Sequence, residues 1–360
     1  MKKSGSDALA HSYKYDVLRI KVPPKLNHIF LVALSFGIFV LIFGVVVKAE
    51  LRQVVIGTNP AGTHAYAAGA GIAKVVQDAH GIRSIVRPFS GSSAYLPLLH
   101  RGEITLGLNT SIDSYLAYSG LDPYQAPMVN LRLLARAFPL YIMYMVRADS
   151  DLYSVEDLLE KRVVVDVRSN ISMGALHRAI LATGGLGSGD IDELTVGGLP
   201  DGVRLLIEGR ADAASIGLDT ALTLQAHATV PGGIRYLTMG QDEEKLSALM
   251  PGSKVSPAPK GATGTGAEEG LRVSEISDYI NTGVHLSEED AYFLVKTIHE
   301  RWEELSADYP VLSGTPADGL APPDNPHPYH NGAIRYYKDV GLWTEKHEQN
   351  QARFFPTSLP

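Results

Sequence analysis

The sequence predicts an α/β protein built as two lobes. A unit of short apolar strand, polar loop and helix recurs three times within about 65 residues near the start of the patterned region. A second series of the same kind opens at Val163-Val164-Val165. The chain has 360 residues, 45% of them hydrophobic and 20% charged, which is enough for two globular cores and too apolar for disorder. Such alternation implies a mostly parallel sheet with right-handed crossovers.

The elements follow in order. Val54-Val55-Ile56 reads as a strand ended by the turn-rich residues 57–62. A helix is expected over 63–79, with Ile72, Val75 and Val76 on one face. Residues 82–86 form the second strand. Ser90-Gly91-Ser92-Ser93 then offers helix N-caps before Leu96, Leu98 and Leu99. Residues 104–108 form the third strand, and Asn109-Thr110-Ser111 opens another helix. Residues 131–135 and 140–146 read as two further strands. Helices are expected at 172–183, 201–208 and 219–226, and strands at 213–216 and 234–237. Residues 251–270, rich in Pro, Gly, Ala, Ser and Thr, read as a loop or a return crossing between lobes. Ser287 caps a helix to about residue 305, with Glu288, Glu289 and Asp290 in its first turn. The expected division is 51–137 for lobe 1, 138–257 for lobe 2, 258–345 for the return and terminal helices, and 346–360 for a peripheral tail.

Residues 29–47 are 19 in a row without a charge. As a helix they span roughly 29 Å, about the hydrocarbon thickness of a bilayer. The leader 1–28 carries Lys2, Lys3, Lys14, Arg19, Lys21 and Lys25 against Asp7 and Asp16, which places it in the cytoplasm and the rest outside. The length favours an anchor in the inner membrane. A cleaved signal sequence ending near Val47-Lys48-Ala49 is the alternative, and a buried core helix the third reading. Residues 1–48 hold 7 of the 32 basic and 2 of the 39 acidic residues, so the remainder carries −12, which argues against nucleic acid as a partner. No second long apolar run follows, so the chain is not a permease. The absence of cysteine excludes disulfides and thiolate chemistry.

In open α/β sheets, ligands bind outside the carboxyl ends of the strands. The loops there are rich in Gly, Ser, Thr and Asn, and each opens a helix whose free N–H groups suit a carboxylate or a similar anion. The candidate ligand-binding residues are Thr58, Thr63, Ser90, Ser92, Thr110, Ser111, Asn170 and Asp219. Tyr66 is placed to pack on an apolar part of the ligand, and Arg168 to pair with a carboxylate. For any single loop, plain helix capping is the competing explanation. Enzyme signatures are missing: residues 57–62 lack the Lys-Ser/Thr ending of a phosphate loop, and no Gly-x-Ser-x-Gly elbow occurs. His327 and His330, in a Pro-rich loop, read as structural rather than metal-binding, and no cofactor is expected.

Several segments together resemble one family. Gly57-Thr58 through Gly69 and Ala73 is similar to the opening of the TAXI family of TRAP-transporter solute receptors. Ser90-Gly91-Ser92 resembles its Thr-Gly-Gly-Ser region. Leu106-Gly107-Leu108 through Ser111, Ala117 and Gly120, and the block from His327 to Tyr337, resemble later segments. The likeness spans most of 53–342 and rests on order and spacing. It implies a periplasmic binding protein of type II with a ligand cleft between its lobes, not an enzyme. It also implies delivery of a small solute, often a dicarboxylate or an acidic amino acid, to a TRAP-type membrane permease. The departures lie in polar contacts. Ala65 and Tyr66 stand where the family has paired aromatics. Ile112, followed by Asp113, stands at its Asp, and Tyr95 at its Asn. Residues 169–172 replace its Gly-Ser-Gly-Thr. A membrane-anchored ligand-sensing subunit on the same fold is the alternative.

Overall fold

The computed structural model describes residues 51–259 and 270–355. The apolar run at 29–47 lies outside them. Among the described residues, no helix is long and apolar enough to cross a membrane.

Strand β1 (Gln53–Thr58) leads into helix α1 (His64–His80), then β2 (Arg83–Pro88), α2 (Ser92–His100), β3 (Leu106–Thr110) and α3 (Ser111–Ser119). Helices α1 and α3 start where their caps stand, whereas α2 starts after Gly91 with no side-chain cap, so the capping expected of the serines at 90–93 is not made. Thr63 accepts from the Tyr66 amide at the head of α1, and Gly81, at φ 67°, closes it by donating to the Gln77 carbonyl. Thr110 and Asp113 form a capping box at α3. The long β4 (Leu131–Arg147) follows, then β5 (Arg162–Val167), α4 (Ile171–Thr183), β6 (Asp192–Val196), α5 (Leu199–Ile207), β7 (Ala213–Gly217), α6 (Ala221–Thr229), β8 (Ile234–Tyr236), α7 (Glu244–Leu249) and β9 (Lys254–Pro257). Next come β10 (Arg272–Gly283), α8 (Glu288–Glu300), α9 (Trp302–Asp308), α10 (Asn331–Asp339) and α11 (Glu345–Ala352).

The strands run in the order β2-β1-β3-β10-β4-β7-β5-β6, with β8 on β4 and β9 on β10. β1 pairs in parallel with β2 and β3, and β5 in parallel with β6 and β7. Between these parallel sets lie β4 and β10, antiparallel to each other over residues 131–142 and 274–283. β3 pairs with β10 at 278–281, and β7 with β4 at 142–146. The two long strands therefore belong to both α/β lobes. Chain leaves lobe 1 along β4 and returns along β10, the architecture of a two-lobed type II binding protein.

Two departures from the sequence reading concern these crossing strands. The expected strands at 131–135 and 140–146 are one continuous strand, because Phe138 and Pro139 pair with Asp278 and Ser277 instead of turning. β10 was not expected at all. The single helix expected after Ser287 is also broken, at Arg301, between α8 and α9.

The apolar interior forms two clusters. One is confined to lobe 1, where Ile56, Ile72, Leu106, Leu133, Ile280, Leu294 and Trp302 meet. The other runs from Tyr95, Leu99 and Leu116 on the α2–α3 side of lobe 1 into Val164, Leu176, Leu206 and Tyr236 of lobe 2. Each fully buried Leu or Ile in these clusters stabilises the fold by about 1.5–3 kcal/mol.

Candidate functional site

The carboxyl ends of the strands from both lobes face one another, and a small cavity lies between them. Lobe 1 contributes Asn59, Thr63, His64, Ala65 and Thr110. The crossing strands contribute Phe138, Leu140, Ile142 and Asp278. Lobe 2 contributes Asn170, Met173, Leu199, Ile216, Gly217 and Thr220. The volume is about 40 Å³, room for about three water molecules at roughly 10–15 Å³ each. Thr63, Thr110, Asn170 and Thr220 stand at the N-termini of α1, α3, α4 and α6, so four helix starts converge on this space.

The lobes touch directly beside the cavity. The Ser93 amide donates to the Ser169 carbonyl at 3.1 Å, and the Ile171 amide donates to Ser93 Oγ at 3.1 Å. Asn170 Nδ2 donates to Ser92 Oγ at 3.1 Å and to Asn59 Oδ1 at 3.3 Å. Gly91 makes this approach possible: a Cβ there would overlap the Ser169 carbonyl and Asn170 Oδ1.

Asp113 anchors the contact. Its buried carboxylate accepts from Ser92 Oγ at 3.0 Å, Thr110 Oγ1 at 3.0 Å and the Tyr124 hydroxyl at 3.5 Å. Ser172 Oγ of lobe 2 donates to it as well. Burial raises the Asp113 carboxyl above the usual carboxylate range, opposed only in part by the hydrogen bonds from Ser172, Ser92 and Thr110. Across the cavity, the His64 ring stands edge-on to Phe138 with centroids 6.0 Å apart. Burial lowers its basicity, opposed by Asp219.

The candidate residues divide into three groups. Thr63, Thr110 and Asn170 line the cavity. Ser92 and Ser111 are buried next to it: Ser92 ties Asp113 to Asn170, and Ser111 accepts from the Ser277 amide at 3.3 Å. Thr58, Tyr66, Ser90, Arg168 and Asp219 do not line it. Thr58 is a packing residue, whose methyl would lie 2.7 Å from a Cβ on Gly69 of α1. Tyr66 is half-buried, while Ser90 and Arg168 are exposed. Asp219 is half-buried in the left-handed region at φ 56°, and its backbone meets His64. The cavity's titratable groups, Asp278 and His64, were missed, as were Asn59 and Phe138. Asn59 lies within the turn already singled out and His64 just after it, and that position was the available signal.

His327 is structural: its Nε2 lies 2.8 Å from Asn281 Oδ1, and burial lowers its pKa to about 3. His330 caps α10, its Nδ1 accepting from the Gly332 amide. No cluster of metal-ligating side chains occurs among the described residues.

Two lobes joined by paired crossing strands, with a cavity between them, define the chain as a type II binding-protein fold. Residues 56–341 match the model of the NMT1-like family, and the chain belongs to that family. Three solved structures resemble it at lower similarity. The alkanesulfonate-binding protein SsuA from Xanthomonas axonopodis pv. citri, bound to MOPS, is 20% identical, with 85% of each chain covered and a TM-score of 0.46. An ancestral arginine-binding protein bound to arginine is 14% identical, with 72% of this chain and 99% of that one covered and a TM-score of 0.47. Holo ArgBP from T. maritima is 14% identical, with 71% and 91% covered and a TM-score of 0.43.

Proposed function

We propose that the protein is an extracytoplasmic solute receptor that closes its two lobes on a small solute and hands it to a TRAP-type permease of the TAXI kind. The observation that carries this reading is the cavity itself, which is closed by residues of both lobes and faced by four helix N-termini. Such termini suit a carboxylate, so a small anionic or zwitterionic solute is the expected cargo. Ser92 acts through the lobe contact, while Thr63, Thr110 and Asn170 face the solute. In this reading residues 29–47 anchor the chain in the inner membrane. Residues 51–137 and 258–345 move as one lobe and 138–257 as the other, and no chemistry is done on the cargo.

Native mass spectrometry of the purified protein tests the reading by identifying any co-purifying solute. Small-angle scattering then compares the emptied and refilled protein. A bound solute whose removal expands the protein supports it. A solute converted into product on incubation, or no solute and no change of shape across a broad panel, overturns it.

A further inference from the structure

Helix N-termini leave one cavity group unused. Asp278 lies on β10 opposite Thr110 of β3 and Phe138 of β4, and all three line the cavity. The Asp278 side chain is 2% exposed, and its Oδ1 has no hydrogen-bond partner among the described residues. No lysine or arginine lines the cavity. The titratable groups facing Asp278 are Asp113, behind Thr110 at the head of α3, the buried Tyr95 of α2, and His64 on α1, whose basicity burial lowers. Burial holds the Asp278 carboxyl well above the usual carboxylate range, and Asp113 pushes it the same way. A buried acid without a partner is costly to the fold.

We propose that Asp278 is the charge partner of the solute and receives an ammonium or amidinium group, so that the cargo is a compact amine or zwitterion without a second carboxylate. This rests on the solute-receptor reading and revises its cargo, keeping the zwitterions, dropping the plain anions and adding compact amines. A dicarboxylate would find no lysine or arginine in the cavity to answer its second acid. An amino group finds an acceptor there, and a single carboxylate at the other end finds the N-termini of α1, α4 and α6. Phe138, Met173 and Ile216 leave apolar wall for a short aliphatic body. Binding converts a neutral carboxyl into a carboxylate facing an ammonium, with one proton released to solvent.

Calorimetry on the purified full chain with alanine, propylamine, propionate and succinate tests this. Alanine and propylamine are expected to bind, and the two acids are not. At pH 7 binding should release about one proton, read as a difference in heat between phosphate and Tris buffers. Asp278→Asn should weaken alanine and propylamine roughly ten- to a hundredfold and abolish the proton release, with no loss of folded stability. Tighter binding of propionate or succinate than of the amines overturns the inference, as does an Asn variant that binds the amines like the parent, or binding of none of the four. Preference for an acid that still compacts the protein leaves the receptor reading standing. A protein that takes up no solute from any broad panel loses both.

Discussion

Two buried carboxylates lie on either side of Thr110, and their surroundings are opposite. Asp113, in the contact between lobes, is surrounded by hydroxyl donors from Ser92, Thr110, Tyr124 and Ser172. Asp278, in the cavity, has an oxygen with no donor at all among the described residues. The folded chain answers the first acid from within itself and leaves an oxygen of the second without a donor among the described residues. A satisfied buried acid marks a structural joint, and the unsatisfied one in the cavity is where we propose that the solute is held.

Removing the first acid should have the largest effect. Asp113→Ala strands several buried hydroxyls on both lobes and is expected to cost about 3 kcal/mol in urea unfolding. A loss below about 1 kcal/mol would show that the lobe contact is not held there. Gly91→Ala tests the same joint sterically, since its Cβ would overlap the Ser169 carbonyl. The variant should fold but rest in a more open form by scattering, with solute affinity about tenfold lower.

Asp278→Asn should behave in the opposite sense to Asp113→Ala. A carboxyl raised in the folded state contributes stability below its unfolded pKa of about 3.9, and loses it as pH rises towards the raised value. The Asn variant should therefore gain stability over the parent at pH 8 and almost none at pH 4. Equal stabilities at both pH values would mean that Asp278 is already compensated. The smallest effect is expected of Arg168→Ala. Its side chain is exposed and outside the cavity, so solute affinity should stay within about twofold.

The helix starts at this site were legible because capping is local. Thr63 and Thr110 sit before apolar helical runs, and their hydroxyls accept from amides three residues on. The lobe pattern was legible for the same reason, through short strands and their turns. β10 was not. Its sequence, Val273-Ser274-Glu275-Ile276-Ser277-Asp278-Tyr279-Ile280-Asn281, loses strict alternation where the register shifts at Asp278/Tyr279 and Ile280/Asn281. Two buried polar residues, Asp278 and Asn281, stand where apolar ones would reveal a core strand. The acid that faces the cavity was hidden with the strand that carries it. Arg168 misled for a related reason, since following a strand does not fix which side of the sheet edge a long side chain takes.

The path of β4 and β10 also sets an order of assembly. Lobe 2 is an uninterrupted stretch of chain between these strands, so β5, β6, β7 and β8 find their partners within it and on β4, and only β9 and the edge of β4 wait for the start of β10. Lobe 1 is split: β3 waits for β10 as its antiparallel neighbour, and α1 waits for α8 and α9 to cover it. On a ribosome or at an export channel, the second lobe can therefore form most of its sheet first while the first emerges incomplete. Its long-range closure, spanning more than 150 residues from Leu108 to Ile280, is then the slow step in maturation.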